Sequence, residues 1–301
     1  MKFNFSKTPI IISIALPLLW TACDEPELPE GCTDYIAVNY DDSAVIDDQS
    51  CEYIESGSAI FLDHFDGSSL DESKWTHEVG TGNWGWGNGE LQYYRSNNTI
   101  VDNGKAKIIA KKETVDGMDY TSSRIKTDGK FTFRYGKVQA RIKTVKGQGM
   151  WPAFWLLPSG GNWPCDGEID IMEQGNRIVP GNTAATATTG AAHVGTCPYP
   201  NNEKDHDYQS FKKTSTDSYA DDFHVYEIRW EPNKIEWYVD NQKIGTVRPD
   251  DYPGKTWPFN DNDWYIILNL AIDENGPNSI TQFPSQMEID WVRVYALEHD
   301  N

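Results

Sequence analysis

Polar and apolar residues alternate with period two through much of this chain. Lys105-Ala106-Lys107-Ile108-Ile109-Ala110, Lys137-Val138-Gln139-Ala140-Arg141-Ile142 and Val225-Tyr226-Glu227-Ile228-Arg229-Trp230 each read as a half-buried strand. Lys234-Ile235-Glu236-Trp237-Tyr238-Val239 does the same, is closed by Asp240-Asn241 and re-enters at Lys243-Ile244, which predicts a hairpin. Trp264 to Ala271 is apolar without a break, as a central strand is, and Met287 to Tyr295 alternates again. No long stretch carries the helical period. Many short strands from residue 58 onward predict an all-β domain, a sandwich or barrel.

One run carries candidate chemistry. Gly167-Glu168-Ile169-Asp170-Ile171-Met172-Glu173 places three carboxylates within six residues. Strand side chains alternate faces, so Glu168 and Asp170 share one face while Ile169 and Ile171 point into a core. Strict alternation would turn Glu173 the wrong way. One extra residue after Asp170, a β-bulge with Met172 as the inserted position, returns it to the face of the other two. Three acids on one cleft suit acid–base cleavage of a glycosidic bond. The plainer alternative is a half-buried strand with a charged solvent face.

Composition narrows the partners. The formal charge of −20 argues against nucleic acid and polyanionic substrates, both of which favour a basic surface. Eleven Asp/Glu and no Lys/Arg fall in residues 24–57, so the remainder is only moderately acidic. Twelve Trp, fifteen Tyr and eleven Phe are enough to fill a β core and still leave platforms for stacking on sugars. No zinc-type Cys/His spacing and no Gly-rich nucleotide loop is present.

The N-terminus reads as an export signal. Lys2 and Lys7 precede a short apolar run from Ile10 to Trp20, too short for a comfortable membrane span. Leu19-Trp20-Thr21-Ala22-Cys23 resembles a bacterial lipobox, with Trp20 departing from the usual small aliphatic residue. That resemblance implies cleavage after residue 22, lipidation of Cys23, and a surface lipoprotein anchored to a membrane. An ordinary signal peptide with an incidental Cys23 is the alternative. Setting Cys23 aside leaves four cysteines, and an oxidising compartment predicts the disulfides Cys32–Cys51 and Cys165–Cys197. Residues 23–57 then form an acidic arm around a Cys-bracketed, Asp-rich unit, either a small calcium-binding spacer or a disulfide-tied linker.

Residues 58–301 resemble glycoside hydrolase family 16, and most closely its bacterial laminarinases. The signature runs in order. It begins with Phe65-Asp66-Gly67 and Trp75, then Trp86-Gly87-Asn88-Gly89-Glu90-Leu91-Gln92-Tyr93-Tyr94 and Thr121-Ser122-Ser123-Arg124. Gly147-Gln148-Gly149-Met150-Trp151-Pro152-Ala153-Phe154-Trp155 follows, then the acidic strand, Phe223-His224-Val225-Tyr226 and Glu288-Ile289-Asp290-Trp291-Val292-Arg293-Val294-Tyr295. The resemblance implies a β-jelly-roll of two antiparallel sheets with a concave cleft. It implies a monomer that hydrolyses β-1,3-glucan with retention, and no cofactor for the chemistry.

The same resemblance assigns residues. Glu168 matches the nucleophile, Glu173 the acid/base and Asp170 the assisting carboxylate. Trp163 matches a sugar-stacking residue, and Trp151 is expected in the cleft, while Trp155 belongs either to cleft or core. Asn88, Glu90 and Arg124 resemble residues that bind sugar hydroxyls, with Glu90 alternatively the ion-pair partner of Arg124. His193 resembles a histidine near the catalytic centre, or is a satisfied core histidine. His224 is expected to serve the fold. Gly104 and Asp290 match positions of a structural calcium, with Asp290 alternatively a plain surface acid. The inserted Met172 and the neutral substrate favour a laminarinase over mixed-linkage glucanases, agarases or transglycosylases on the same scaffold.

Overall fold

The computed structural model describes residues 28–33, 43–51, 59–197 and 205–296. The export signal and Cys23 lie outside them. The chain divides into two compact units, residues 1–56 and 57–301. In the first, β1 (Glu30–Gly31) and β2 (Ile46–Asp47) pair in parallel, and the Cys32–Cys51 disulfide is formed. The Asp47 and Asp48 carboxylates there accept from the backbone N–H groups of Gln49 and Ser50, closing local turns.

The second unit is built of strands, with no α-helix among the described residues. It begins with β3 (Ala59–Asp63), β4 (Thr76–Glu78), β5 (Gln92–Tyr94), β6 (Thr99–Asp102), β7 (Lys105–Val115) and β8 (Met118–Ser122). Next come β9 (Arg124–Lys126), β10 (Gly136–Lys143), β11 (Met150–Pro158), β12 (Glu168–Glu173), β13 (Ala187–Gly195) and β14 (His206–Thr214). It closes with β15 (His224–Glu231), β16 (Lys234–Val239), β17 (Gln242–Val247), β18 (Trp264–Ile272) and β19 (Ser285–Tyr295).

Two sheets form a jelly-roll sandwich. The front sheet runs β14-β13-β12-β11-β18-β9-β4. The back sheet runs β17-β16-β15-β10-β19-β7-β8-β5, with β3 on β19 and β6 on β7. The pairing is antiparallel apart from β5 with β8. β18 is buried along its whole length and sits between β11 and β9, as its unbroken apolar run predicts. The β16–β17 hairpin turns on Asp240 and Asn241, both at positive φ (50° and 58°), the pair of left-handed residues such a two-residue turn requires.

The core between the sheets fixes which face of β12 is free. Ile169, Ile171 and Met172 are buried in one cluster with Tyr226, Ile228, Trp230 and Trp237 from the back sheet. The acids take the opposite face. Burial of three large apolar side chains, at roughly 1.5–3 kcal/mol each, holds the strand in that orientation.

Candidate active site

The predicted bulge is present, and its details sharpen the expectation. Against β13, Asp170 pairs with Ala191 and Glu173 with Thr189, so Ile171 and Met172 together face the single residue Gly190. Against β11, Asp170 pairs with Trp155 and Met172 with Phe154, which leaves Ile171 as the residue without a partner. The insertion is therefore shared by Ile171 and Met172 rather than carried by Met172 alone. Both side chains go into the core, and Glu173 rejoins the face of Glu168 and Asp170.

The back sheet locks this geometry. Trp237 Nε1 donates to the Asp170 backbone carbonyl at 2.8 Å. It reaches that atom through the space that Gly190 leaves empty, since a Cβ there would stand 2.2 Å from Trp237 Cδ1. Gly167, immediately before Glu168, has φ +87°, and a Cβ on it would press on Pro258, Phe259 and Trp264. The acid strand thus begins on a glycine and bends opposite one.

Burial is the dominant electrostatic fact. It raises Glu168 to about 8, and the charge of Asp170 adds to this, while His193 pulls it back. Burial raises Asp170 to about 7. Glu173 rises to about 8, first through burial and then through Asp170, against the hydrogen bond from Trp151 and the charges of His193 and Arg177. Three carboxylates this close do not all ionise together near neutral pH, so the remaining proton belongs to the cluster. That is the condition a nucleophile–acid pair needs: one carboxylate charged, one protonated.

The β11 side supplies indoles. Trp151 Nε1 donates to Glu173 Oε1 at 2.8 Å, and Trp155 Nε1 donates to Asn269 Oδ1 at 2.7 Å. Trp151 and Trp155 both lie on the acid-bearing face, which resolves Trp155 in favour of the cleft. Each indole carries a guanidinium over its ring. Arg177 lies 5.0 Å from the Trp151 ring and is bonded to Glu274 at 2.7 Å. Arg124 lies 4.8 Å from Trp155 and 4.7 Å from Trp86, and its ion pair is with Glu78 at 2.5 Å.

Glu90 is therefore not the ion-pair partner of Arg124. It is buried and accepts from Gln92 at 2.6 Å, Tyr94 at 3.0 Å and Asn88 at 3.3 Å. Burial raises its pKa, opposed by those donors and by Arg124. Tyr94 in turn accepts from Asn269 Nδ2 at 3.2 Å, so this network leads back to Trp155. Asn88 belongs to a tight loop, Gly85–Gly89, whose preceding Trp84 is 77 % exposed.

The β13 side supplies imidazoles. His193 stands directly opposite Glu168. Its Nε2 is 2.9 Å from Asp170 Oδ2 and 3.9 Å from Glu168 Oε1, so it belongs to the site and not to the core. Trp163 is 42 % exposed, with its ring 5.0 Å from that of His206. The Cys165–Cys197 disulfide is formed and ties the Trp163 loop to the segment just after β13.

Several residues of the site are not assigned to it by the sequence: His206 and Tyr208 on β14, Arg177, Glu274 and Asn269, together with Gln92 and Tyr94, which lie in the signature run, and Trp237, which lies in an alternating strand. Residues 196–222, rich in Asn, Lys and Asp, read from the sequence as a loop with an insertion, yet within them His206–Thr214 forms the edge strand of the front sheet. The predicted cation ligands lie apart from the acid-bearing strand. Gly104 is in the β6–β7 turn beside Asp66, and Asp290 Oδ2 is 2.7 Å from Arg141 Nη1. Oxygens of Asp66 and Asp290 are the hard donors calcium takes, but the Arg141 guanidinium already compensates Asp290. His224 bonds Asp240 at 2.8 Å on the back sheet, as a residue serving the fold.

Known proteins share this fold. The chain is 34% identical to the laminarinase catalytic domain of Thermotoga maritima, with a TM-score of 0.71 over 80% of this chain and 98% of that one. It is 38% identical to the endo-β-1,3-glucanase of Pyrococcus furiosus, with a TM-score of 0.70 over 80% and 96%. Among curated relatives, it is 35% identical to a β-glucanase of Rhodothermus marinus over 78% of this chain and 84% of the relative. It is also 35% identical to glucan endo-1,3-β-glucosidase A1 of Niallia circulans, and there it spans only 37% of the relative's length. The model of glycosyl hydrolases family 16 matches residues 84–293, from the Trp84 loop to the last back-sheet strand and through all three acids. The chain belongs to that family.

Proposed function

We propose that the domain hydrolyses internal β-1,3-glucosidic bonds in laminarin-like glucans, by double displacement with net retention. The observation that carries this reading is the bulge at Ile171–Met172, which puts Glu168 and Glu173 on one face with Asp170 between them. Glu168, ionised, attacks the anomeric carbon while Glu173 gives its proton to the departing glycosidic oxygen. A glycosyl ester on Glu168 results. Glu173, now a carboxylate, takes a proton from water, and that water cleaves the ester and restores both groups. Asp170 takes up part of the charge that Glu168 loses and regains. Trp151 holds Glu173 through a donor that does not titrate. Exposed Trp163 is placed to stack on a glucosyl ring beside the acids. The chemistry uses no cofactor.

Proton NMR of early products from laminarin tests the mechanism. The β-anomer should appear first, and initial α-anomer would reject it. A product profile on laminarin, lichenan and agarose tests linkage: soluble oligosaccharides from laminarin ahead of the other two support the reading. The second reading is a broader β-1,3(4)-glucanase, favoured by similarity to a structure named a non-specific endo-β-1,3(4)-glucanase and to the Rhodothermus marinus relative named only a β-glucanase. Equal turnover of lichenan and laminarin would select it. One relative, from Penaeus monodon, is named a β-1,3-glucan-binding protein. A Glu168→Ser variant that binds glucan without cleaving it separates catalysis from binding.

Two further expectations belong to this proposal. The N-terminal motif suits export and lipidation at Cys23, which intact mass and detergent partitioning of the membrane-expressed protein would read. A calcium at Gly104 and Asp290 would serve stability alone, and chelator should then lower Tm without changing the acids' pH profile.

A further inference from the structure

His193 has a second polar contact on the side away from the acids. Its Nδ1 is 2.9 Å from His206 Nε2. The two ring planes are within 8° and the centroids 5.1 Å apart. Near-parallel planes with touching nitrogens describe rings joined edge to edge, not face to face. That is the geometry of an N–H···N hydrogen bond between imidazoles. The line Asp170–His193–His206 thus crosses three adjacent strands, β12, β13 and β14, on the cleft face.

We propose that His206 is a positioning residue for the nucleophile: as a neutral imidazole it accepts at Nε2 from His193 Nδ1–H, and so holds His193 Nε2 against the Asp170–Glu168 pair. The proposal rests on the hydrolytic reading of the three acids. One proton must lie between Nδ1 and Nε2, since two lone pairs at 2.9 Å repel. A neutral histidine can accept it, whereas a protonated one cannot. Burial and the neighbouring His193 push His206 down to about 4, against Asp207, so it stays neutral where the acids work. With His206 as acceptor, His193 Nδ1–H is engaged on one side and Nε2 is turned to the Asp170–Glu168 pair on the other. His193 in that position lowers Glu168 against the burial that raises it.

The surroundings fit this role. Tyr208 lies directly opposite His193 on β14, its ring 5.2 Å away and tilted by 17°, and Trp163 covers His206 at 5.0 Å. Among the described residues, the charged and titratable groups facing the pair are Glu168, Asp170 and Glu173 from β12, Asp207 and Tyr208 from β14, and Lys255. The carboxylates of β12 face His193, while His206 has the opposing charges of Asp207 and Lys255. His206, lowered by burial and by His193, is therefore the acceptor of the pair.

Two variants of the whole protein test this. His206→Phe keeps a flat ring without an acceptor, and His206→Gln restores an acceptor oxygen near the Nε2 position. In the Phe variant, kcat/KM on laminarin at acid pH should fall roughly tenfold, the scale of one lost charge-assisted hydrogen bond. Its acidic limb should move about one unit to higher pH, because His193, which lowers Glu168, is no longer held beside it. The Gln variant should stay near wild type in both respects. Nitrogen-15 NMR of histidine-labelled wild-type protein should show His193 Nδ1 protonated and hydrogen-bonded. An unprotonated Nδ1, or Phe and Gln variants with the same pH profile, overturns the proposal. If the protein cleaves no glucan, the functional reading fails instead, and the NMR result alone decides the hydrogen bond.

Discussion

The two flanks of β12 handle protons differently. On the β11 flank, Glu173 meets the indole N–H of Trp151, a group that is buried and does not titrate. On the β13 flank, Asp170 and Glu168 meet the imidazole of His193. The same strand therefore sets Glu173 against an indole N–H and Glu168 beside an imidazole that is itself bonded to His206. This separation follows from the bulge, which lets Glu173 pair with Ala153 between the two tryptophans while Glu168 stays opposite His193. Two carboxylates of the same chemistry, both raised by burial, thus have different neighbours, as the proposed division of roles requires.

The largest expected effect comes from removing the acid on the indole flank. Glu173→Ala should lower kcat on laminarin on the order of 10³-fold, and far less on an aryl glucoside whose leaving group needs no proton. Equal losses on both substrates would break the assignment. Trp151→Phe should be milder, roughly a tenfold loss in kcat/KM. In the proposed mechanism Glu173 works protonated, and the indole hydrogen bond holds its pKa down. Removing it raises that pKa, so the basic limb of the pH profile should move to higher pH while the acidic limb stays. A shift of the acidic limb would mean the flanks are not separate.

Gly190→Ala probes the bulge that divides the flanks. The added Cβ would meet Trp237, an overpacking cost of about 1–3 kcal/mol, visible as a Tm lower by several degrees. An unchanged Tm would show that the back sheet does not lock the bulge.

The smallest effect is the pH dependence of stability. Folding raises the pKa of Glu168 and Glu173 from about 4.5 to about 8, so the folded chain binds more protons than the unfolded chain between those values. Stability is greatest below the unfolded pKa and falls as pH rises through the folded one. Tm should decline by a few degrees between pH 5 and 8, and Glu173→Gln should flatten the decline. A wild-type Tm that rises over that window would contradict the burial of these acids.

Period-two alternation made β7, β10, β15, β16 and β19 legible, and the Asp240-Asn241 turn fixed a hairpin. These signals are local, so a single window contains them. The acid strand was legible because its one violation of alternation has a standard structural remedy. The indole and imidazole flanks were less so. Trp151 and Trp155 sit at the same alternation phase, but their partners Arg177, Asn269 and Arg124 come from other strands and loops. β14 escaped notice because an edge strand with one face in solvent carries polar residues such as Gln209, Lys212 and Lys213 that also suit a loop. Glu78, rather than Glu90, pairs with Arg124 because β4 lies beside β9, and that adjacency depends on the whole sheet order.

Trp237 belongs to the back sheet yet hydrogen-bonds the main chain of the acid strand at Asp170. The acid strand is therefore not a portable motif. Transplanting Gly167 to Glu173 into another sandwich would carry the three carboxylates but leave the bent carbonyl without its donor. A working graft needs a tryptophan from the facing sheet and a glycine beside the bend for it to pass. Recombination between relatives should accordingly succeed when β12, β13 and β16 come from one parent and fail when crossovers divide them.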